Sequence, residues 1–185
     1  LHPKRLMPVE NLIIDIGNTY AKLALFREDR LIEICRENVS IPKAFSKLTQ
    51  GFEIKAAIVS SVIDLAPETE SFIRSCPFPV HFLSADTPIP IKIGYGTPRT
   101  LGADRLAAAV AAKEMYPGKN LLIIDAGTAI TYDFLSQDGT FTGGNITPGK
   151  QMRFESLHNQ TARLPLVDEN GDCPLTGYDT PSAIR

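Results

Sequence analysis

Leu12-Ile13-Ile14-Asp15-Ile16-Gly17 returns 110 residues later as Leu122-Ile123-Ile124-Asp125-Ala126-Gly127. Each copy is a short apolar run with an aspartate near its end and a glycine two residues beyond. Such a run reads as a buried strand, and the glycine as the turn that stops it. The match continues past the motif, because turn signals follow at Glu28-Asp29 and at Asp138-Gly139, again 110 apart. A strand is expected after each. Two similar βββα units built for packing would account for the repeat. The aspartates suggest more. A carboxylate at the end of a buried apolar strand is costly unless it is paired, hydrogen-bonded or bound to a cation. It occurs twice, each time beside a glycine that lets a ligand approach the backbone, which points to two facing phosphate-binding turns.

Outward from the first copy, residues 11–17, 21–26 and 31–37 read as strands. Helix is expected at 42–48, strand at 56–60, helix at 67–75 and a brief strand at 80–83. Residues 85–100 are rich in proline and glycine and read as loop. The alanine-rich stretch 101–115 is the strongest helix, stopped by Pro117 and Gly118. The alternation of strands and helices predicts an α/β fold.

Composition removes several function classes. The chain has 185 residues, 43% hydrophobic and 22% charged, which is globular rather than disordered or coiled-coil. Nineteen basic against 21 acidic residues leave a net charge of −2, a poor match for a nucleic acid surface. The three cysteines form no CxxC pair and the three histidines never reach metal-ligand spacing. A disulfide scaffold and a structural zinc site are therefore not expected, and a reducing cytoplasm is. No apolar stretch approaches the roughly 18 residues of a membrane span. Residues 1–10 show no periodicity and read as a tag remnant or a native arm.

Asp15-Ile16-Gly17-Asn18-Thr19-Tyr20-Ala21-Lys22 has the parts needed to hold a nucleotide. Asp15 suits Mg²⁺ bound through water, since that ion prefers oxygen ligands and keeps much of its hydration. Gly17 permits close backbone approach, and neighbouring amides can donate to phosphate oxygens. Asn18, Thr19 and Lys22 add side-chain donors; a hairpin with a capping Asn-Thr pair is the plainer reading. Asp125-Ala126-Gly127-Thr128 offers the same acid, glycine and hydroxyl. By contrast, Gly144-Asn145-Ile146-Thr147-Pro148-Gly149-Lys150-Gln151 only imitates a P-loop: Gln151 stands where Ser or Thr must bind the metal, and Pro148 removes an amide from the cradle.

A third group runs from Tyr95 through Gly102-Ala103-Asp104-Arg105 into the strong helix. Asp104 and Arg105 fall near its start, where amides and dipole favour an anion. Asp104 is either a helix cap or a base towards a substrate hydroxyl; Arg105 is either a surface charge or a clamp for a substrate carboxylate.

The segments 15–19, 102–105, 125–128, 143–149 and 161–165 occur in the order seen in type III pantothenate kinases, and the chain resembles that family from about residue 11 onward. The resemblance implies two duplicated RNase H-like domains of the actin-like ATPase superfamily around a nucleotide cleft. The first would span 11–117 after an arm at 1–10. The second, 118–185, would be incomplete in this chain. It implies ATP-dependent phosphorylation of pantothenate, the first step towards coenzyme A. By similarity, Asp15, Ile16, Gly17, Asn18, Thr19, Tyr20, Ala21 and Lys22 form the first phosphate loop, and Thr128 lies in the second. Asp104 corresponds to the proton acceptor. Tyr95, Gly102, Ala103, Asp104, Arg105 and Thr180 correspond to the pantothenate site. Asp125 corresponds to the ligand of a monovalent cation, K⁺ or NH₄⁺, and Asp15 to the carboxylate holding Mg²⁺ through water. A homodimer with a shared active site is implied. Thr97 departs from the family, standing where many relatives carry Asn. The competing expectation is a regulatory, accessory transcription-factor-like protein on the same scaffold. Another kinase or a chaperone-type ATPase of the superfamily would have no need of the Tyr95 and Gly102–Arg105 pocket.

Overall fold

A computed structural model describes residues 9–37 and 40–185; residues 1–8 of the arm expected at 1–10 lie outside them, and its last two residues belong to the first strand. The chain divides into two compact units, one running up to Ile89 and including Gly96–Ala107, the other made of Pro90–Tyr95 and Ala108–Arg185.

The first unit opens on β1 (Val9–Ile16), β2 (Ala21–Arg27) and β3 (Arg30–Glu37), followed by α1 (Ile41–Leu48), β4 (Glu53–Ser61), α2 (Pro67–Arg74) and β5 (Val80–Phe82). Its mixed sheet has the order β3-β2-β1-β4-β5, with β1 antiparallel to β2 and parallel to β4. Period-two alternation puts Leu12, Ile14 and Ile16 of β1 on one face, where they are buried with Leu23, Leu25 and Val59 against Ala44 and Leu48 of α1 and Ile73 of α2. Each large side chain buried there contributes roughly 1.5–3 kcal/mol. Both helices carry proline in the first turn, and Ser40 caps α1 by accepting from Lys43 N.

The first strand corrects the sequence reading, which put its start at residue 11. It begins at Val9. Glu10 is only 1% exposed, and its Oε1 accepts a hydrogen bond from Arg27 Nε at 3.0 Å. A buried acid two residues before the apolar run gave no sign of strand, because its partner lies on β2.

The second unit contains β6 (Lys92–Ile93) and the later part of α3 (Ala103–Met115), then β7 (Leu121–Ala126), β8 (Ala129–Leu135), β9 (Thr140–Pro148), α4 (Lys150–Asn159) and α5 (Thr180–Ile184). Its sheet has the order β6-β9-β8-β7 and is also mixed: β7, β8 and β9 form an antiparallel meander, with β6 parallel to β9. Phe154 of α4 is fully buried with Val167 and Ile184, and Leu164 packs against them. The segment 85–100, read as loop, holds β6 and a 3-10 turn at Pro98–Thr100; two residues of pairing are too few to leave a periodic signal.

Candidate functional site

The turn after β1 is built by its glycine. Gly17 N donates to Tyr20 O at 3.0 Å, and a side chain at position 17 would bring its Cβ within 3.2 Å of that oxygen. The Gly17 amide is therefore spent inside the turn. Asp15, one residue before the end of β1, pairs with Lys22 across the hairpin, with Nζ 3.7 Å from Oδ2. At a surface such a pair is worth little in stability; its use is to hold a carboxylate and a cation ready beside each other. Asn18, Thr19 and Tyr20 are exposed, and Ile16–Ala21 lines a cavity of about 400 Å³ with Ser40 and Thr69.

Two residues that the sequence reading missed sit in this row. Arg36, opposite Lys22 on β3, lies over the Tyr20 ring with Cζ 3.8 Å from its centroid. Ser60, opposite Asp15 on β4, is buried at 8% exposure. Neither has a local motif. Only the strand register reveals them.

The second turn follows β7 by the same device in shorter form: Gly127 N donates to Ala129 O at 2.9 Å. Thr128 O accepts from Gly149 N at 2.9 Å, which spends the amide that the P-loop imitation would have needed. Gly149 is required to be glycine, because a Cβ there would lie 2.2 Å from Gly127 O and 2.4 Å from Thr128 O. Asp125 is exposed and faces Thr131 across the ladder, where its counterpart Asp15 faces Lys22.

The third group lies at the start of α3. Gly102 and Ala103 line a cavity of about 600 Å³ with Ser61, Asp64, Ser84 and Arg99. Asp104 follows, its Oδ1 accepting from Arg105 N at 2.8 Å, so one oxygen ties into the helix start. A Cβ at position 102 would fall 2.4 Å from that same oxygen. Arg105 is 6% exposed, which removes the surface-charge alternative. Tyr95 belongs to the second unit, its ring edge-on to Phe141 at 6.1 Å. Thr180 opens α5 behind a capping box in which Asp179 and Ser182 exchange side-chain and backbone hydrogen bonds. The Ser182 hydroxyl bonded to Asp179 lowers that carboxyl below its usual pKa.

No group of three or more His, Cys, Asp or Glu side chains among the described residues could hold a metal ion. A single half-buried carboxylate such as Asp15 fits Mg²⁺ that arrives with a nucleotide and keeps most of its waters. Asp125 beside a hydroxyl fits a hard monovalent cation in the same way, as oxygen donors without a competing ammonium across the ladder. No helix among the described residues is long and apolar enough to cross a membrane.

The sequence profile of the type III pantothenate kinase family matches residues 11–185. A protein named type III pantothenate kinase from Bacteroides fragilis is 46% identical over 175 residues, covering 95% of this chain and 72% of its own length. Its namesake from Porphyromonas gingivalis is 44% identical, with 94% and 72% covered. A crystal structure of a conserved Campylobacter jejuni protein assigned to the Baf family of transcriptional activators matches with a TM-score of 0.56 at 21% identity. It covers 94% of this chain and 71% of that one. This last likeness carries the fold alone.

Proposed function

The chain belongs to the type III pantothenate kinase family, and we propose on that footing that it transfers the γ-phosphoryl group of ATP to the hydroxyl of pantothenate. The product is 4′-phosphopantothenate, in the first step of coenzyme A biosynthesis. One observation supports this reading most: Gly102 and Ala103 line a cavity of about 600 Å³, and Asp104 follows them at the helix start. We read this cavity as the acceptor pocket, with the Asp104 carboxylate on the residue next to its lining.

Phosphoryl transfer asks little covalent chemistry of a protein; it needs an aligned hydroxyl and neutralised phosphate charge. The pantothenate hydroxyl gives its proton to Asp104 as its oxygen bonds to the γ-phosphorus. The bond to the bridging oxygen breaks, and ADP leaves. Asp15 to Lys22 binds the phosphates, and Thr128 adds a further ATP contact. Gly102, Ala103 and Arg105, with Tyr95 and Thr180, are the pantothenate contacts, shared across a homodimer. When bound, Mg²⁺ and K⁺ or NH₄⁺ would neutralise phosphate charge, with Asp15 holding Mg²⁺ through water and Asp125 as the ligand of the monovalent cation. We also read the two meanders as copies of one RNase H-like unit of actin-like ATPase type, and the cytoplasm as the compartment, since the three cysteines are scattered and form no CxxC pair.

The test is ADP release titrated with pantothenate. Release that rises with pantothenate and saturates is expected. Asp104→Asn should lose about 100-fold or more of that turnover, the range of a general base, with ATP binding retained. Near-normal turnover in this variant would overturn the base assignment, and release indifferent to pantothenate would overturn the substrate.

A further inference from the structure

Ser60 and Ser61 end β4, and the structure uses them differently. Ser61 Oγ donates to Ile63 O at 2.7 Å and accepts from Ile63 N at 3.3 Å, so that hydroxyl serves the backbone. Ser60 Oγ is buried and has no hydrogen-bond partner among the described residues. An unpaired buried hydroxyl costs stability, and each one in a native fold has a reason, a catalytic role among them. Its position supplies the reason. Parallel pairing of β1 with β4 sets Ser60 beside Asp15, and antiparallel pairing of β1 with β2 sets Lys22 on the other side. Residues in register on neighbouring strands point to the same face, about 5 Å apart. The Ser60 hydroxyl can turn about χ1 among staggered wells.

We propose that Ser60 is a positioning residue for Asp15, its hydroxyl donating to one carboxylate oxygen and turning the other towards the hydrated metal ion that a nucleotide carries. In the structure Lys22 steadies the carboxylate from the opposite strand. Phosphate draws that ammonium away, and the hydroxyl on β4 is then the remaining anchor. The inference rests on reading the turn after β1 as a nucleotide site, and it adds a residue that neither the motif nor its spacing contains.

The test compares wild type, Ser60→Ala and Ser60→Thr by calorimetric binding of Mn²⁺–ADP and by thermal melting without nucleotide. Ser60→Ala should weaken Mn²⁺–ADP binding about 10-fold, the low end for a hydrogen bond to a charged group. It should leave ADP binding in EDTA unchanged and raise the melting temperature, because an unpaired buried hydroxyl is gone. Ser60→Thr, which keeps the hydroxyl, should bind the metal complex like wild type. In an Asp15→Asn background Ser60→Ala should add no further loss. A lower melting temperature with Mn²⁺–ADP binding intact would make Ser60 merely structural, and a loss that persists in Asp15→Asn would show that it does not act through Asp15; either overturns the proposal, as does wild type that binds no Mn²⁺–ADP. Wild type that binds Mn²⁺–ADP but transfers nothing to pantothenate sinks the kinase reading alone.

Discussion

Gly149 shows how a residue far from the motif in sequence decides the shape of the turn after β7. Its amide bonds to Thr128 O, and its Cα approaches the carbonyls of Gly127 and Thr128 so closely that no Cβ fits. Its φ of −68° is one that any residue adopts, so the demand for glycine is steric rather than conformational. Gly149→Ala must push the turn away or break the Gly149–Thr128 hydrogen bond, and overpacking of this kind costs about 1–3 kcal/mol. The expected outcome is a lower melting temperature and, because Thr128 moves with the turn, weaker ATP binding. Equal melting and binding in calorimetry would show that the turn relaxes freely. Alanine at the exposed Gly96, where a Cβ would meet nothing within 4 Å, is the control.

At the scale of elements, α5 is too short to be stable by propensity, since helices below about 12 residues are marginal alone. It is held at both ends of its first turn. Ser182 N donates to Asp179 Oδ1 at 2.8 Å, while Ser182 Oγ accepts from Tyr178 N and Asp179 N, both at 3.1 Å. Ser182 is buried, so Ser182→Ala leaves two backbone donors short of a partner and should cost about 1–3 kcal/mol. Thr180 stands inside this box, and its placement depends on it. The variant should therefore raise the KM for pantothenate while the KM for ATP stays put; a parallel rise in both would detach α5 from the acceptor. The cause of this helix start is not legible in sequence, because serine at this position reads as a helix residue until its hydroxyl is seen to face backwards. The same limit hid Ser60 and Arg36. The alternation along β1 was legible from Leu12, Ile14 and Ile16 alone, whereas the row Arg36, Lys22, Asp15 and Ser60 exists only once four strands are in register.

Across the whole chain the 110-residue offset holds at the end of the first strand of each meander and at the start of the third, and fails at the turns between. Ile16 and Ala126, each one residue beyond its aspartate, end matching strands, and β3 and β9 start at Arg30 and Thr140. Between them, the first phosphate turn has four residues and the second two, while the following turns lengthen from two residues to four. Turns drift because their ends need only meet. The drift has a chemical result. Asp15 faces Lys22 across its ladder, whereas Asp125 faces Thr131; on the reading proposed above, the second carboxylate is the one that takes the monovalent cation. Turnover should therefore rise with K⁺ or NH₄⁺ at constant ionic strength and fall when Na⁺ replaces them. Asp125→Asn should raise the K⁺ needed for half-maximal rate about 10-fold, the loss of one charged ligand. Thr131→Lys, which restores to the second ladder the pairing of the first, should make the residual rate indifferent to K⁺. If both variants keep the K⁺ response of wild type in the ADP-release assay, the cation binds elsewhere, and the difference between the two ladders has no catalytic meaning.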